Sequence, residues 1–403
     1  MEHTNSGSGA MGSKAIIGAT MIDGTGAEPI RDGAIVIAEK RIEQIGPASQ
    51  VSVPADAEVI EAAGKTVIPG IIDGHMHVGF GWAALARLRA SLERGVTTVA
   101  GVTSGPEGVR MRDAIAAGHV GPAARYFVGA VVGATGGHLH REDDKVSGVD
   151  ADGPWEIRKG VRDMAMKGVD FIKTAASGGF QWANEGVENE DYTVEELRAL
   201  VEESHARHKR VVVHAHSQPG LNHAIEVGCD QIHHGALIDQ EALDGIKERG
   251  LYYLPTLHIT SEPVYTRSWF ADHTRERMQA AHPVHRAGVR RAHEMGIEMG
   301  VGTDGGPGDA MHELMELVAC GLSPLEAIVA GSRNTARAMG VLEQYGTLEP
   351  GKLADLLIVG KDPLQDISVL YEAANIQLVM KEGLVAVADG EFNRCYHPAA
   401  ELV

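Results

Sequence analysis

Apolar positions near the two ends of the chain alternate with turn residues over short distances. Segments such as 33–37 (GAIVI) and 384–388 (LVAVA) are short, apolar and flanked by charged or turn-forming residues. This pattern is typical of small antiparallel strands. Because both ends show it and the middle does not, we predict that residues 14–67 and 343–403 together form one small β-sandwich domain.

The middle of the chain, residues 68–342, alternates strand-like and helix-like apolar patterns. Short β-branched runs predict strands at 66–72 (which straddles the boundary), 97–101, 125–132, 169–174, 210–213, 231–233, 251–257 and 298–302. Helical periodicity predicts helices at 83–94, 193–208, 240–249 and 275–295. Thr193 and Glu196 have the spacing of a capping box. Eight strand–helix units in roughly 250 residues predict an α/β fold, a (β/α)8 TIM barrel with the small β-sandwich appended.

Composition and charge narrow the class of protein. The chain has 403 residues, 44% of them hydrophobic and only 4% aromatic, which suits an aliphatic barrel interior. The formal net charge of −19 argues against nucleic acid or an anionic membrane as a partner, because both require a basic surface. We therefore expect a small-molecule substrate, and we expect a homo-oligomer.

Cysteine spacing and the N-terminal residues bear on the compartment. Cys229, Cys320 and Cys395 show no CxxC spacing, so a reducing compartment, the cytoplasm, is the default expectation. Residues 1–13 are small and polar without the apolar core of a signal peptide, and we interpret them as an expression leader. No apolar run approaches the roughly 20 residues of a membrane-spanning helix.

The first predicted barrel strand leads into two histidines, His75 and His77. On a strand the i, i+2 spacing puts both imidazoles on the same face. Two imidazoles that converge at the C-terminal end of a strand are better explained by a divalent metal than by packing.

Other predicted strands also end in polar residues at the rim where barrel enzymes carry their chemistry. Lys173 is embedded in an apolar strand; it could extend outward to solvent or, as a carbamate, bridge two metals. His214 ends the fifth strand. His233 and His234 end the sixth, and strand alternation lets only one of these two face the barrel mouth. Asp304 follows the eighth strand, where by itself a turn residue is the simpler interpretation and a metal-bound carboxylate the alternative.

Most of the 20 histidines must have other roles. His216 shares the parity of His214 but lies further along the loop. We expect no metal role for His3, His205, His208, His282, His285 and His293. A His-x-His pair, a lysine, two further strand-end histidines and an aspartate at one rim are nevertheless better explained by one binuclear metal site than by coincidence.

The chain resembles the amidohydrolase superfamily over nearly its whole length. The motifs that carry this resemblance are PGIIDGHMH at 69–77 and GTLEPGKLADL at 346–356. The branch of imidazolonepropionase-like amidohydrolases is indicated by FIK at 171–173, SGG at 177–179, HG at 234–235 and GTD at 302–304. That branch includes Xaa-Pro dipeptidases, ochratoxin-type amidases and carbamate or phenylurea hydrolases.

The resemblance implies two divalent metal ions, Zn²⁺ first and Mn²⁺ or Co²⁺ as substitutes. The ligands that it implies are, for the more buried ion, His75, His77 and Asp304, and for the second ion, His214 and His234. Lys173, as N6-carboxylysine, would bridge the two ions. His233 falls where the family often has glutamate, and we assign it no metal role.

The resemblance also implies a mechanism, the hydrolysis of a C–N bond in an amide, carbamate, urea or dipeptide. A metal-bridging hydroxide would attack the carbonyl, with Asp304 as the proton shuttle. The Gly136-Gly137-His138 segment resembles a family Gly-Gly-His segment, so His138 is expected to reach the substrate and stabilise the oxyanion, with His140 as the competing choice.

Loop residues are the candidates for substrate selection. The loops after the fourth and seventh strands carry Phe180, Trp182, His258, Tyr265, Trp269 and Phe270. These side chains either shape an apolar pocket or pack beneath their own loops or at a subunit contact, and we predict Trp182 and His258 as substrate contacts. No arginine stands beside the predicted ligands in the sequence, although Arg141 and Arg267 are within loop reach. This favours neutral amides, carbamates or ureas over dipeptides.

Two alternatives come from other classes of protein. A deaminase of the same fold generally uses one metal and no bridging lysine, so Lys173 argues against it. A non-catalytic scaffold of this fold would be expected to lack the ligands, whereas all six are present.

Overall fold

The computed structural model describes residues 12–140 and 147–393. Most of the predicted leader lies outside the described residues, as do His3, Arg141 and Cys395. The strands are β1 Lys14–Met21, β2 Ile30–Ala38, β3 Arg41–Pro47, β4 Glu58–Glu61, β5 Thr66–Pro69, β6 Ile71–Met76, β7 Val96–Gly101, β8 Arg125–Gly133, β9 Gly148–Asp150, β10 Phe171–Ala175, β11 Arg210–Ala215, β12 Gln231–His234, β13 Tyr252–Leu254, β14 Leu356–Val359, β15 Ile376–Lys381, β16 Leu384–Ala388 and β17 Glu391–Phe392.

Helices alternate with the strands of the middle region. They are α1 Gly81–Glu93, α2 Gly105–Ala116, α3 Gly153–Met166, α4 Val194–Ala206, α5 Gly220–Glu226, α6 Gln240–Arg249, α7 Leu257–Thr260, α8 Glu262–Tyr265, α9 Asp272–Glu294, α10 Asp309–Ala319, α11 Pro324–Val329 and α12 Thr335–Met339. The capping box predicted before α4 is confirmed, because Thr193 and Glu196 bond each other's backbone N–H. Within the described residues no helix is long and apolar enough to cross a membrane.

Strands from both ends of the chain form one sheet. Its order is β17-β16-β15-β14-β5-β1-β2-β3, with β4 paired to β1. The register places Ile16 opposite Ile35, and both side chains are buried in an aliphatic cluster with Met21 and Leu356. The apolar alternation at the two ends therefore builds a single shared core.

The second sheet is a nearly closed parallel barrel. Its order is β13-β12-β11-β10-β8-β7-β6, with β9 paired to β8. The eighth position is taken by residues 299–305, which make only isolated bridges to Tyr253 and Met76. The expected strand 298–302 is not formed as a regular ladder. Side chains take two of its backbone groups: Thr335 Oγ1 accepts from Val301 N at 2.8 Å, and Asn334 Nδ2 donates to Met299 O at 3.0 Å. The predicted fold class, a TIM barrel with a β-domain from both ends, is confirmed.

The predicted strand 66–72 is in fact two strands that belong to different sheets. β5 pairs with β14 in the terminal sheet, whereas β6 pairs with β7 in the barrel. The break falls at Gly70, where a Cβ would lie 2.3 Å from Thr97 Oγ1. Only glycine allows this close approach, so the chain passes directly from the terminal sheet into the first barrel strand and the histidines at its end.

Candidate active site

A cavity of about 430 Å³ opens at the C-terminal ends of the barrel strands. All six predicted ligands line this cavity: His75, His77, Lys173, His214, His234 and Asp304. The structure therefore brings together side chains from five strand positions that are distant in sequence. Two groups of residues within it have the arrangement of divalent-metal sites.

The first group joins the end of β6 to the segment at the eighth barrel position. His77 Nε2 lies 2.9 Å from Asp304 Oδ1, and His75 Nε2 lies 3.3 Å from the same oxygen. The second nitrogen of His77, Nδ1, is 3.0 Å from Thr103 Oγ1. Both rings thus present Nε2 to the carboxylate.

A buried carboxyl group, Asp73, holds these two segments together. Its Oδ1 accepts hydrogen bonds from the N–H of His75 at 3.0 Å and of Thr303 at 3.2 Å. Its Oδ2 accepts from Thr303 Oγ1 at 2.7 Å. Burial raises the pKa of Asp73 to about 7, against the opposing effect of these hydrogen bonds. Asp73 thereby fixes the position of Asp304 relative to the histidine pair.

Left-handed backbone conformations occur at two of the cavity residues. His234 has a φ of 76° and Asp304 a φ of 54°, a region that non-glycine residues rarely adopt. The surroundings hold this strain in place. The carbonyl of His234 accepts from Tyr253 OH at 3.0 Å and lies 2.9 Å from His285 Nε2. The N–H of Asp304 donates to His75 O at 2.8 Å.

The expectation that only one of the two histidines ending the sixth strand faces the barrel mouth agrees with the lining of the cavity. His233 is directed into the barrel interior, where its Nδ1 lies 2.6 Å from His75 Nδ1. His234 lines the cavity at the rim. Because His234 leaves the extended conformation, the two rings do not lie on opposite faces of the strand, and the His233 ring is also directed inward beneath the rim.

The second group contains a histidine to which the sequence assigned no role, His216. The ligand atoms of His214, His216 and His234 all lie within 4.8 Å of one another. The His216 ring stacks on His234 with a centroid distance of 4.9 Å, and its Nδ1 is buried without a hydrogen-bond partner among the described residues. The spacing of His214 and His216 repeats that of His75 and His77, which was the available sequence signal.

Lys173 is directed into the cavity and is 1% exposed. This excludes the alternative in which its side chain extends to solvent. Its Nζ is buried, and none of the described residues forms a hydrogen bond with it. Burial lowers the pKa of Lys173 to about 7. The amine is therefore held partly neutral and unpaired beside both groups of potential ligands.

Burial also keeps His75, His214 and His234 neutral. It lowers the pKa of His75 to about 3, and it lowers the pKa of His214 and His234 well below the usual range. Neutral imidazoles with free lone pairs beside a carboxylate are a donor set that suits a divalent metal.

His138 lines the cavity beside the second group. Its ring stacks on that of His214 with a centroid distance of 3.9 Å and an interplanar angle of 18°. Two residues of the loop after β10 hold it: Glu185 Oε1 lies 2.7 Å from His138 Nδ1, and Asp191 Oδ2 accepts from its backbone N–H at 2.7 Å. No spacing in the sequence pointed to Glu185 or Asp191.

The other three predicted substrate contacts are not among the residues that line this cavity. His140 Nδ1 lies 3.0 Å from Asp150 Oδ2. His258 Nε2 lies 3.0 Å from Asp309 Oδ2, and Trp182 is 45% exposed. Each polar side chain is engaged elsewhere, so a role in substrate binding stays a prediction for all three.

Two further features of the wall concern the substrate. One side is apolar and is formed by Leu139, Phe180, Ile259, Trp269, Phe270 and Met278. Contrary to the expectation from the sequence, an arginine does stand beside the ligands: Arg87 of α1 lines the cavity and donates from Nη1 to His77 O at 2.6 Å. Arg267 instead lies over the Trp269 ring and pairs with Asp309.

Comparison with protein families gives a match over most of the chain. The model described as the amidohydrolase family matches residues 66–386. The curated ochratoxinase of Aspergillus niger is 27% identical over 417 residues, covering 90% of this chain and 84% of that protein. The imidazolonepropionase of Rhizobium rhizogenes is 24% identical over 392 residues, covering 83% of this chain and 88% of that protein.

A solved structure shows the same architecture. The crystal structure of a Xaa-Pro dipeptidase with methionine bound in the active site superposes with a TM-score of 0.84. It is 30% identical to this chain and covers 93% of this chain and 99% of its own.

Proposed function

The chain belongs to the amidohydrolase family and is a hydrolase of amide-like C–N bonds, and on this premise we propose that it is a binuclear metal-dependent enzyme. The observation that carries the proposal is the position of Lys173. Its buried, unpartnered Nζ lies in one cavity with both groups of potential ligands. An anionic carbamate on that nitrogen would supply a bridging ligand to each group.

We assign the residues that would hold the ions from the two groups of donors and from the family resemblance. His75, His77 and Asp304 would bind the first ion, His214 and His234 the second, and carboxylated Lys173 both, with zinc as the expected metal. Two ions so bound would lower the pKa of a shared water toward neutrality and polarise the substrate carbonyl.

The protein's own residues would then move the protons. Asp304 is held as a carboxylate between two imidazoles, so it can accept a proton from the attacking water and deliver it to the leaving nitrogen. Glu185 Oε1 accepts from His138 Nδ1, so His138 would donate from Nε2 to the oxygen that gains negative charge as an imidazolium paired with Glu185.

The cavity wall supports a choice of substrate. Its apolar side suits a hydrocarbon or aromatic group, and the Arg87 guanidinium suits a carboxylate. The dipeptidase with which this chain shares its fold binds methionine, which combines an apolar side chain with a carboxylate. We therefore propose dipeptides or N-acyl amino acids with an apolar side chain as substrates, ahead of neutral carbamates and ureas.

A hydrolysis screen on metal-loaded protein tests this proposal. The panel contains Xaa-Pro dipeptides, N-acyl amino acids, aryl amides, carbamates and phenylureas, with metal content measured on the same sample. We expect two ions per chain and the greatest kcat/KM on an acylated apolar amino acid. Release of ammonia as the product would favour the deaminase instead, and metal-loaded protein without activity on the panel would contradict the proposal.

A further inference from the structure

We infer that Gln231 and His233 are positioning residues that form a neutral hydrogen-bond relay to His75. The relay fixes the proton of His75 on Nδ1 and so leaves its Nε2 lone pair free for a cation. The role of that cation rests on the proposed function, whereas the tautomer of His75 does not.

Three hydrogen bonds in series define the direction of the relay. Gln231 Nε2 donates to Ala338 O at 2.9 Å. A backbone carbonyl can only accept, so the amide nitrogen must face it and Gln231 Oε1 must face the other way. Oε1 lies 2.9 Å from His233 Nε2, which must therefore carry a proton and donate it.

The remaining bond then has only one arrangement for neutral rings. With its proton on Nε2, neutral His233 has an acceptor lone pair on Nδ1. His233 Nδ1 lies 2.6 Å from His75 Nδ1, so His75 must donate from Nδ1. The Nε2 of His75 is left with a lone pair, and it lies 3.3 Å from Asp304 Oδ1. Two acceptor atoms facing each other at this distance are stable only with a cation or a proton between them.

Burial protects the hydrogen bonds of this relay from competition with water. Gln231 is 3% exposed and His233 is fully buried, so water does not offer either side chain an alternative partner. Both lie on β12 two residues apart and share the inward face of the strand. An imidazole and an amide accept and donate in series without placing a net charge in the barrel interior, where a charge is costly. Such outer partners of a ligating histidine fix its tautomer and ring orientation.

The test compares three substitutions in the full-length protein. His233→Phe keeps a ring of similar size but removes the acceptor, and His233→Glu restores an acceptor for the Nδ1 proton of His75. Gln231→Met removes the acceptor that fixes the tautomer of His233. His205→Phe is the matched control, because His205 is an exposed histidine that pairs with Asp230, away from the cavity.

Two measurements test the relay separately from the proposed hydrolytic function. Long-range ¹H–¹⁵N correlation spectra of metal-free protein report which nitrogen of His75 carries the proton, and chelator competition reports the affinity of each ion. We expect the Nδ1–H tautomer in the wild type and in His205→Phe, and its loss in His233→Phe. Affinity for one of two ions should fall roughly 10- to 100-fold in His233→Phe and recover in His233→Glu. Gln231→Met should show a mixture of tautomers and a smaller fall in affinity.

The outcomes are distinguishable from those that bear on the proposed function. A wild-type His75 protonated on Nε2, or a folded His233→Phe with unchanged tautomer and affinity, would overturn the relay while leaving hydrolysis intact. An Nδ1–H tautomer in a protein that binds no metal would support the relay and contradict the proposed function. If His233→Phe does not fold, the wild-type spectrum and Gln231→Met decide the question.

Discussion

The two sides of the cavity are built differently. On one side His75, Lys173 and His214 belong to buried barrel strands, and Asp73 fixes the neighbouring segment by hydrogen bonds to His75 and Thr303. On the other side His138, Trp269 and Phe270 lie in loops, outside the strands and helices. Catalytic chemistry requires side chains held rigidly, as they are at the ends of the barrel strands. Selection among substrates depends on the loops, which vary more than the barrel strands.

The largest expected effect is on the rigid side, in Asp304→Asn. The amide cannot take up the proton, so kcat should fall by about 10³-fold, within the range typical of lost acid–base catalysis. Metal content, measured in the same preparation, should remain.

Asp244→Asn, a change of the same kind on the exposed face of α6, should keep wild-type turnover. Near-normal turnover in Asp304→Asn would remove the proposed proton shuttle.

On the loop side, Glu185→Gln should have a smaller effect. The neutral amide holds the His138 ring less firmly, so we expect kcat to fall by roughly 10- to 100-fold, because a misplaced catalytic group typically costs about this much. Both ions should stay bound, as shown by metal analysis. Glu188→Gln, in the same loop but exposed, provides the comparison, and equal activity of the two variants would remove Glu185 from the account.

Acid should lower the free energy of unfolding of the metal-free protein, because histidines on the rigid side of the cavity are buried. The pKa of His75 is lowered to about 3, and burial places the pKa of His214 and His234 well below the usual range. Because these folded-state values lie below the unfolded value of about 6.5, stability is fully present above pH 6.5 and is lost as the pH falls from there. Between pH 6.5 and 5.5 each histidine can cost up to about 1.4 kcal/mol.

Asp73 acts in the opposite sense. Its raised pKa of about 7 makes its own contribution to stability fall as the pH rises from about 4 to 7. Urea unfolding with a chelator at pH 7.5 and 5.5 measures the net slope, which we expect to favour the higher pH since the histidines outnumber Asp73. An unchanged free energy of unfolding would mean that these imidazoles are not buried as neutral groups.

The smallest expected effect is on substrate selection, in Arg87→Met. Loss of the guanidinium should raise KM for carboxylate-bearing substrates by about tenfold, the value of one charge-assisted hydrogen bond of about 1.4 kcal/mol. Substrates without a carboxylate should be unaffected. Arg89→Met, on the same helix but over the Phe392 ring, is the control, and an equal rise in KM for neutral substrates would count against a carboxylate site.

The difference between strand ends and loops also explains which features could be predicted from the sequence. Strand periodicity and the positions of His75, His77, Lys173 and Asp304 after apolar runs were enough to predict the barrel and the residues at its rim. These signals are local, because a strand end defines both the position and the direction of a side chain.

The features that sequence reasoning missed depend on contacts between distant segments. Arg87 reaches the cavity from a helix, and Glu185 reaches His138 from another loop, neither with a spacing that marks it. The inward direction of His233, beneath the rim where His234 lines the cavity, depends on a left-handed backbone at His234. The break of the predicted strand at Gly70 depends on the approach of Thr97.

The most direct test of the binuclear proposal is ¹³C NMR of the metal-loaded protein prepared with ¹³CO₂. The account predicts one carbamate carbon signal per chain, together with two bound ions, and its loss in Lys173→Met. An unmodified Lys173 in a metal-loaded, active enzyme would contradict it.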